Sequence, residues 1–437
     1  MNEITLSEEQ QKIVDSDADN IIVAAGAGSG KTRVLTERVR KLLMTNVNPK
    51  GIVVITFTNM AAEELQERLK DVPNIDKCFI GTIHSLANTL LSSKYNYDLY
   101  TEDIQDYYMK FLINHFAQYA TIDDYEKLLD EFYKVSIGTL KYYDVVRMFK
   151  PEVFDELLLL LGYNQEHNTL CYDDYPQDVL TLCSTNHIIT FDELLQKCTE
   201  YFKQHNTDVE YLFVDELQDV GYLEYEFLMN LNAKHNFFIG DDYQAIYGFK
   251  GGNVNIFLSL LQNPEYTHYY LEDNYRNGAV ILNYANSIIS NATNILPKKS
   301  NCKSGKIGSV DIKSKNDFNK FLSMFTEEDY DKFGDWFILV RKNSELEKIA
   351  KSLKARNIPT ISFRKSEISK QEKDLAMAKN AIKLLTIHTS KGLENENVVL
   401  YGSFPLNLKK KTKSDELKIF YVGITRAKEK LIIFNGQ

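Results

Sequence analysis

The most chemically loaded stretch of the chain is a glycine-rich turn backed by a lysine and a hydroxyl: Ile21 to Arg33 reads IIVAAGAGSGKTR. Glycines at 26, 28 and 30 let the backbone curl so that several N–H groups point at one anion, and a helix N-terminus behind them adds positive potential. In such a loop Lys31 reaches the β- and γ-phosphates of a nucleotide, and the Thr32 hydroxyl holds Mg²⁺. Ala25, Gly26, Ala27, Gly28, Ser29 and Gly30 form the wall of the cradle. The strict pattern opens on Gly, and Ala25 stands there instead.

A second group complements the first. Tyr211-Leu-Phe-Val-Asp-Glu216 is an apolar run ending in two carboxylates, where a parallel sheet presents its ligand groups. Asp215 is the expected Mg²⁺ partner, and Glu216 the group that orients and deprotonates a water. Taken alone, such a pair serves equally well as a helix N-cap. Gln244, in Gly240-Asp-Asp-Tyr-Gln-Ala-Ile-Tyr247, is placed to bond both a γ-phosphate and the attacking water.

These residues need a scaffold of parallel strands. Short apolar runs at 21–25, 51–56, 211–214, 237–239, 336–340, 398–401 and 431–434 alternate with helical patterns, as in βαβ units. The stretch from Ser92 to His187 is rich in Tyr, Leu, Asp and Glu, and reads as a helical insertion. With 437 residues and 44% hydrophobic content, several cored domains fit. A net charge of −10 argues against coating nucleic acid by bulk charge but leaves room for a local basic groove. The five cysteines lack metal or redox spacing, and the apolar runs are too short to span a bilayer, so no membrane role and a cytoplasmic setting are expected.

The order of motifs resembles the UvrD/Rep-like branch of superfamily 1 DNA helicases. Leu6-Ser-Glu-Glu-Gln10 comes first, then the phosphate loop, Thr56-Phe-Thr-Asn-Met-Ala-Ala62, Gly81-Thr-Ile-His-Ser85, Asp215-Glu-Leu-Gln-Asp219 and Gly240 to Gly251. Asn274-Tyr-Arg276, Thr386 to Glu394 and Tyr421-Val-Gly-Ile-Thr-Arg-Ala427 complete the series. The resemblance implies an α/β fold of two RecA-like P-loop NTPase domains with parallel sheets, plus a helical accessory insertion. The first core domain would take 1–91 and 188–270, the accessory domain 92–187, and the second core domain 271–437. It implies an ATP-dependent 3′–5′ translocase and DNA helicase, with ATP and Mg²⁺ as cofactors. Gln10 would read adenine, Arg33 and Tyr275 would hold the base, and Glu394 beside Gly392 would bond the ribose. Arg276 and Arg426 would act as arginine fingers on the γ-phosphate, although either alone reads as a surface ion pair. Single-stranded or 3′-tailed DNA would lie along Phe57, Asn59, His84, Tyr247, Phe249, Lys250 and His388. Aromatics at these positions suit core packing as well.

Two departures from the family pattern are expected to matter. Between Arg276 and His388, only about Ser362 to Lys379 is left for a second accessory domain, too little for a globular unit. The chain also stops at Gln437, where relatives continue into a strand-separating hairpin. A motor of this compact form would translocate better than it unwinds. The alternative is a partner-dependent, DNA-sensing ATPase that works with a nuclease or a replication or repair protein and unwinds weakly on its own.

Overall fold

The computed structural model describes residues 6–95, 97–99, 163–164, 169–170, 188–248, 251–325, 327–362, 380–405 and 414–436. Two compact units divide the chain: residues 1–83 with 205–437, and residues 84–204.

The larger unit holds two six-stranded sheets, each parallel throughout. The first contains β1 (Asn20–Ala25), β2 (Ile52–Ile55), β3 (Phe79–Gly81), β4 (Tyr211–Val214), β5 (His235–Gly240) and β6 (Thr267–Leu271), in the order β6-β1-β5-β4-β2-β3. The second contains β7 (Ser309–Ser314), β8 (Trp336–Val340), β9 (Thr360–Ser362), β10 (Ile382–Thr386), β11 (Asn395–Gly402) and β12 (Ala427–Asn435), in the order β7-β12-β11-β8-β10-β9. A parallel sheet covered on both faces needs strands that are apolar at every position. The central strands meet that demand: Ile21, Val23 and Ala25 face one core, while Ile22 and Ala24 are buried on the other face.

All seven apolar runs named from the sequence fall on strands, with Gly51 and Thr56 just outside β2. The edge strands β6 and β7 were not among them. Only Leu271 of β6 is buried and no residue of β7 is, so they lack the continuous buried run of a central strand. β3, β9 and β10 also went unnamed.

Helices α1 (Glu8–Asp15), α2 (Lys31–Leu43) and α3 (Asn59–Leu69) pack on the first sheet. A capping box between Ser7 and Gln10 starts α1, and Gly30, left-handed at φ 86°, starts α2. Tyr243, Ile246 and Tyr247, which follow β5, share one apolar core with α4 (Ala279–Ile289), α5 (Ser414–Ile424) and the inner face of the second sheet. The two sheets are therefore joined through side chains that come directly after a strand of the first.

In the smaller unit, helix Phe191–Phe202 opens on a capping box between Thr190 and Glu193, and buried Cys198 donates to the Ala87 carbonyl. Strand Asp98–Leu99 pairs with Ile188–Ile189, and Tyr163–Asn164 with Thr169–Leu170. Most of the expected helical insertion, and nearly all of the segment from Ser362 to Lys379, lie outside the described residues.

Phe213 is fully buried in β4, two residues before Asp215, with its ring 5.4 Å from that of Phe237. Phe213→Ala should cost about 3–5 kcal/mol, read as a lower denaturant midpoint with an unchanged slope.

Candidate functional site

Parallel strands put all their C-terminal ends on one edge, and the first sheet places its polar loops there. The phosphate loop leaves β1, Thr56 and Phe57 leave β2, Asp215 and Glu216 leave β4, Asp241 leaves β5, and Asn274 to Arg276 follow β6.

The loop is gripped by its carbonyls. Lys298 Nζ donates to Ala25 O at 3.1 Å, Ser29 Oγ to Gly26 O at 2.8 Å and Asn274 Nδ2 to Ala27 O at 2.6 Å. Tyr275 N donates to Gly28 O at 2.9 Å, and Gln10 Nε2 to Ser29 O at 3.0 Å. In a planar trans peptide the N–H points opposite to the C=O. The N–H groups of Gly28, Ser29 and Gly30 are thus directed away from these donors, as an anion cradle requires. Gly28, at φ 65°, has no room for a side chain. A Cβ there would lie 2.6 Å from Arg276 Cβ and 3.1 Å from Asn274 Nδ2.

Lys31 Nζ stands 3.9 Å from Glu216 Oε1. Glu216 is held left-handed at φ 53°, ψ 40°, a strained state for a non-glycine residue. The two carboxylates are driven apart electrostatically. Burial and the neighbouring Glu216 charge raise Asp215 well above the carboxylate range. Burial would raise Glu216 too, but Lys31 and Lys391, with a hydrogen bond from Gln218, outweigh it and hold Glu216 low. Glu216 therefore carries the charge of the pair.

Gln244 is buried, with Nε2 donating to Asp241 Oδ2 at 2.6 Å and Oε1 accepting from Arg426 Nη2 at 2.9 Å. Arg426 is 1% exposed and also donates to the carbonyls of Leu393 and Val422, each at 3.0 Å. Burial and the nearby Arg276 lower it to about 9. Arg276 pairs with Glu394, which also meets Lys428 at 3.1 Å. The ion-pair reading thus describes Arg276 in this state, while Arg426 is internal. Arg33 lies on the first turn of α2, partly buried, as is Thr32. Tyr275 is 43% exposed, and Gly392 is left-handed at φ 88°.

Of the residues expected along DNA, Phe57 and Tyr247 stack at 4.8 Å, and the Tyr247 hydroxyl donates to the His388 carbonyl at 3.1 Å. Tyr247 is 6% exposed and part of the core, so packing is one of its tasks. Asn59 is exposed at the start of α3. His84 belongs to the smaller unit, its ring edge-on to Phe191 at 5.0 Å. Phe249 and Lys250 lie outside the described residues.

Several residues with central contacts were not singled out from sequence. Lys391 pairs with Asp219, stands 3.5 Å from Glu216 and donates to the Gln244 carbonyl at 2.8 Å. Asn274 and Asn277 form an amide relay from Ala27 O to the Thr425 and Ala427 carbonyls. Lys391 and Asn274 sit inside quoted motifs, a signal that could have found them. Lys298 has none. Among the described residues no His, Cys, Asp and Glu cluster suits a metal on its own, and no helix is long and apolar enough to cross a membrane.

A glycine loop, an acidic pair and a polar strand end on one edge of a parallel sheet define a P-loop protein of RecA-like fold. The comparisons place it further. Residues 6–265 match the UvrD/REP helicase N-terminal domain, and residues 269–370 and 362–435 match the UvrD-like helicase C-terminal domain. The chain belongs to the UvrD/Rep helicase family. It is 29% identical to a probable DNA helicase of Mycoplasma pneumoniae, over 98% of this chain and 83% of the relative. It is 31% identical to the ATP-dependent DNA helicase Rep of Buchnera aphidicola, over 85% of this chain and 60% of the relative. It is 27% identical to the ATP-dependent DNA helicase PcrA of Staphylococcus aureus, over 81% of this chain and 50% of the relative.

Gly28→Ala should lower stability by about 1–3 kcal/mol, from left-handed strain alone, with the clash against Arg276 adding to it. An unchanged denaturation midpoint would mean that the loop is not clamped in this way.

Proposed function

We propose that this chain is an ATP-dependent motor that moves 3′ to 5′ along single-stranded DNA and opens 3′-tailed duplex. The observation that carries the reading is the convergence of Lys31, Asp215, Glu216 and Gln244 at one sheet edge with Arg276 and Arg426. Phosphoryl transfer is catalysed mainly by position and charge, and this set supplies both. The names of the relatives, DNA helicases among them, support DNA as the track.

In this reading Gln10 reads the adenine edge, Arg33 and Tyr275 flank the base, and Glu394 with Gly392 meets the ribose. The N–H groups of Gly28, Ser29 and Gly30, with Lys31, hold the phosphates. Glu216, ionised at neutral pH, accepts the proton of the attacking water, and Gln244 orients that water. The planar guanidinium groups of Arg276 and Arg426 match the charge spreading over the γ-phosphate. Thr32 and Asp215 offer hard oxygen donors of the kind Mg²⁺ takes. Bound there, Mg²⁺ would offset phosphate charge. The division into core domains 1–91 with 188–270 and 271–437, and accessory domain 92–187, belongs to this proposal, with closure of the two cores on ATP as the stroke.

Site variants, the response to DNA and the salt dependence test it. Lys31→Ala should lose ATP binding or turnover. Glu216→Gln should bind ATP and DNA yet turn over poorly, and normal turnover there would remove the assignment. ATPase should rise with single-stranded DNA, and strand displacement should occur on 3′-tailed but not 5′-tailed duplex. Phe57→Ala should weaken DNA binding by about 1–3 kcal/mol with little change in ATP affinity. Binding should also weaken as salt rises, because the contact is with phosphates.

A further inference from the structure

Lys298 belongs to none of the motifs, and its surroundings are those of an internal cation. Its side chain is 5% exposed and pairs with Asp241 and Asp242 at 2.6 Å each, both carboxylates being fully buried. Its ammonium also donates to the Ala25 carbonyl and lies 4.1 Å from the centre of the Tyr243 ring. One Asp241 oxygen is held by Lys298, and the other accepts from Gln244 Nε2 at 2.6 Å. Gln244 Oε1 in turn accepts from Arg426. A carboxylate only accepts and a guanidinium only donates, so this line of bonds allows the Gln244 amide one orientation.

The line depends on Asp241 keeping its charge. A buried carboxylate without a counter-ion takes up a proton instead. Burial would raise Asp241, but Lys298 and then Lys31 outweigh it and hold it below the usual range. Burial would likewise lower Lys298, and the two aspartates reverse that. Without Lys298, Asp241 would protonate or turn away, and Gln244 would lose the partner that fixes its amide.

We propose that Lys298 is a positioning residue for ATP hydrolysis: through Asp241 it holds Gln244 in the orientation that presents its amide oxygen at the arginine side of the site. This rests on the reading of Gln244 as the group that orients the attacking water. A clamp that only braced the fold would share the contacts of Lys298 but not its dependence on Gln244.

The test is a double-mutant cycle on the full chain, reading kcat for ATP at saturating single-stranded DNA. Lys298→Met should lower kcat about tenfold or more, since small misplacements in such sites are costly. Gln244→Ala should lower it as well. The double variant should fall no more than about twofold below Gln244→Ala alone, because the two residues act in series. Independent, multiplying losses would overturn the proposal and leave Lys298 as a brace. If Lys298→Met does not fold, Lys298→Gln, whose amide still donates but carries no charge, goes through the same cycle with the same expectation. A normal kcat in Gln244→Ala would remove the Gln244 reading itself. An impaired Gln244→Ala beside an unimpaired Lys298 variant would overturn the Lys298 assignment alone.

Discussion

The structure depends on the outward turn of the phosphate-loop carbonyls. Glycine makes the loop pliable, and pliability alone does not make a cradle. Donors reach the loop from Gln10, Asn274, Tyr275 and Lys298, distant from it in the chain, and Ser29 adds one from within. Each bond is worth about 0.5–1.5 kcal/mol net. Their common effect is to fix the peptide planes, which sets the direction of the N–H groups on the opposite side. A preorganised set of dipoles needs no rearrangement when an anion arrives. The Asn274–Asn277 relay extends the same grip to the start of β12, so the loop of the first sheet and a strand of the second are held by one pair of amides.

Charge is arranged around that loop with little surplus. Glu216 has lysines on two sides, Lys31 and Lys391, and Lys391 also neutralises fully buried Asp219. Buried ions of this kind are costly unless paired and hydrogen-bonded. Burial by itself would lower Lys391, but Asp219 and Glu216 hold it above the usual range. The left-handed backbone at Glu216 fits the same picture. Strain at a non-glycine residue persists only where its surroundings over-determine it, and Lys31, Lys391 and Gln218 all bear on this carboxylate.

How much of this was legible depended on the range of the interaction. The phosphate loop, the acidic pair and Gln244 follow buried strands, and both the apolar run and the polar end are local in sequence. The central strands other than β10 were readable for the same reason. Thr267–Leu271 and Ser309–Ser314 were not, because an edge strand has one partner and keeps polar side chains. Lys298 could not be found at all from its neighbours. Nothing in Leu-Pro-Lys-Lys distinguishes Lys298 from Lys299, and only the fold turns one toward Asp241 and Asp242. Arg426 shows the same limit: its motif is plain, yet that its guanidinium is wholly internal and bonded to Gln244 follows from packing alone.

Under the proposed reading the DNA side and the ATP side meet on the short crossover between β10 and β11. His388 accepts from the Tyr247 hydroxyl, and Tyr247 stacks on Phe57. Further along, Lys391 binds Asp219 and the Gln244 carbonyl and lies 5.2 Å from the Tyr247 ring centre. At its end Glu394 pairs with Arg276, and the Leu393 carbonyl accepts from Arg426. Each contact is small against the cost of ordering a track or activating a water. All of these contacts are made by one backbone segment, residues 388–394. Coupling between two sites requires an element whose arrangement both sites bias. This crossover touches both, and its left-handed Gly392 stands in open space, where the backbone can turn without a side chain in the way.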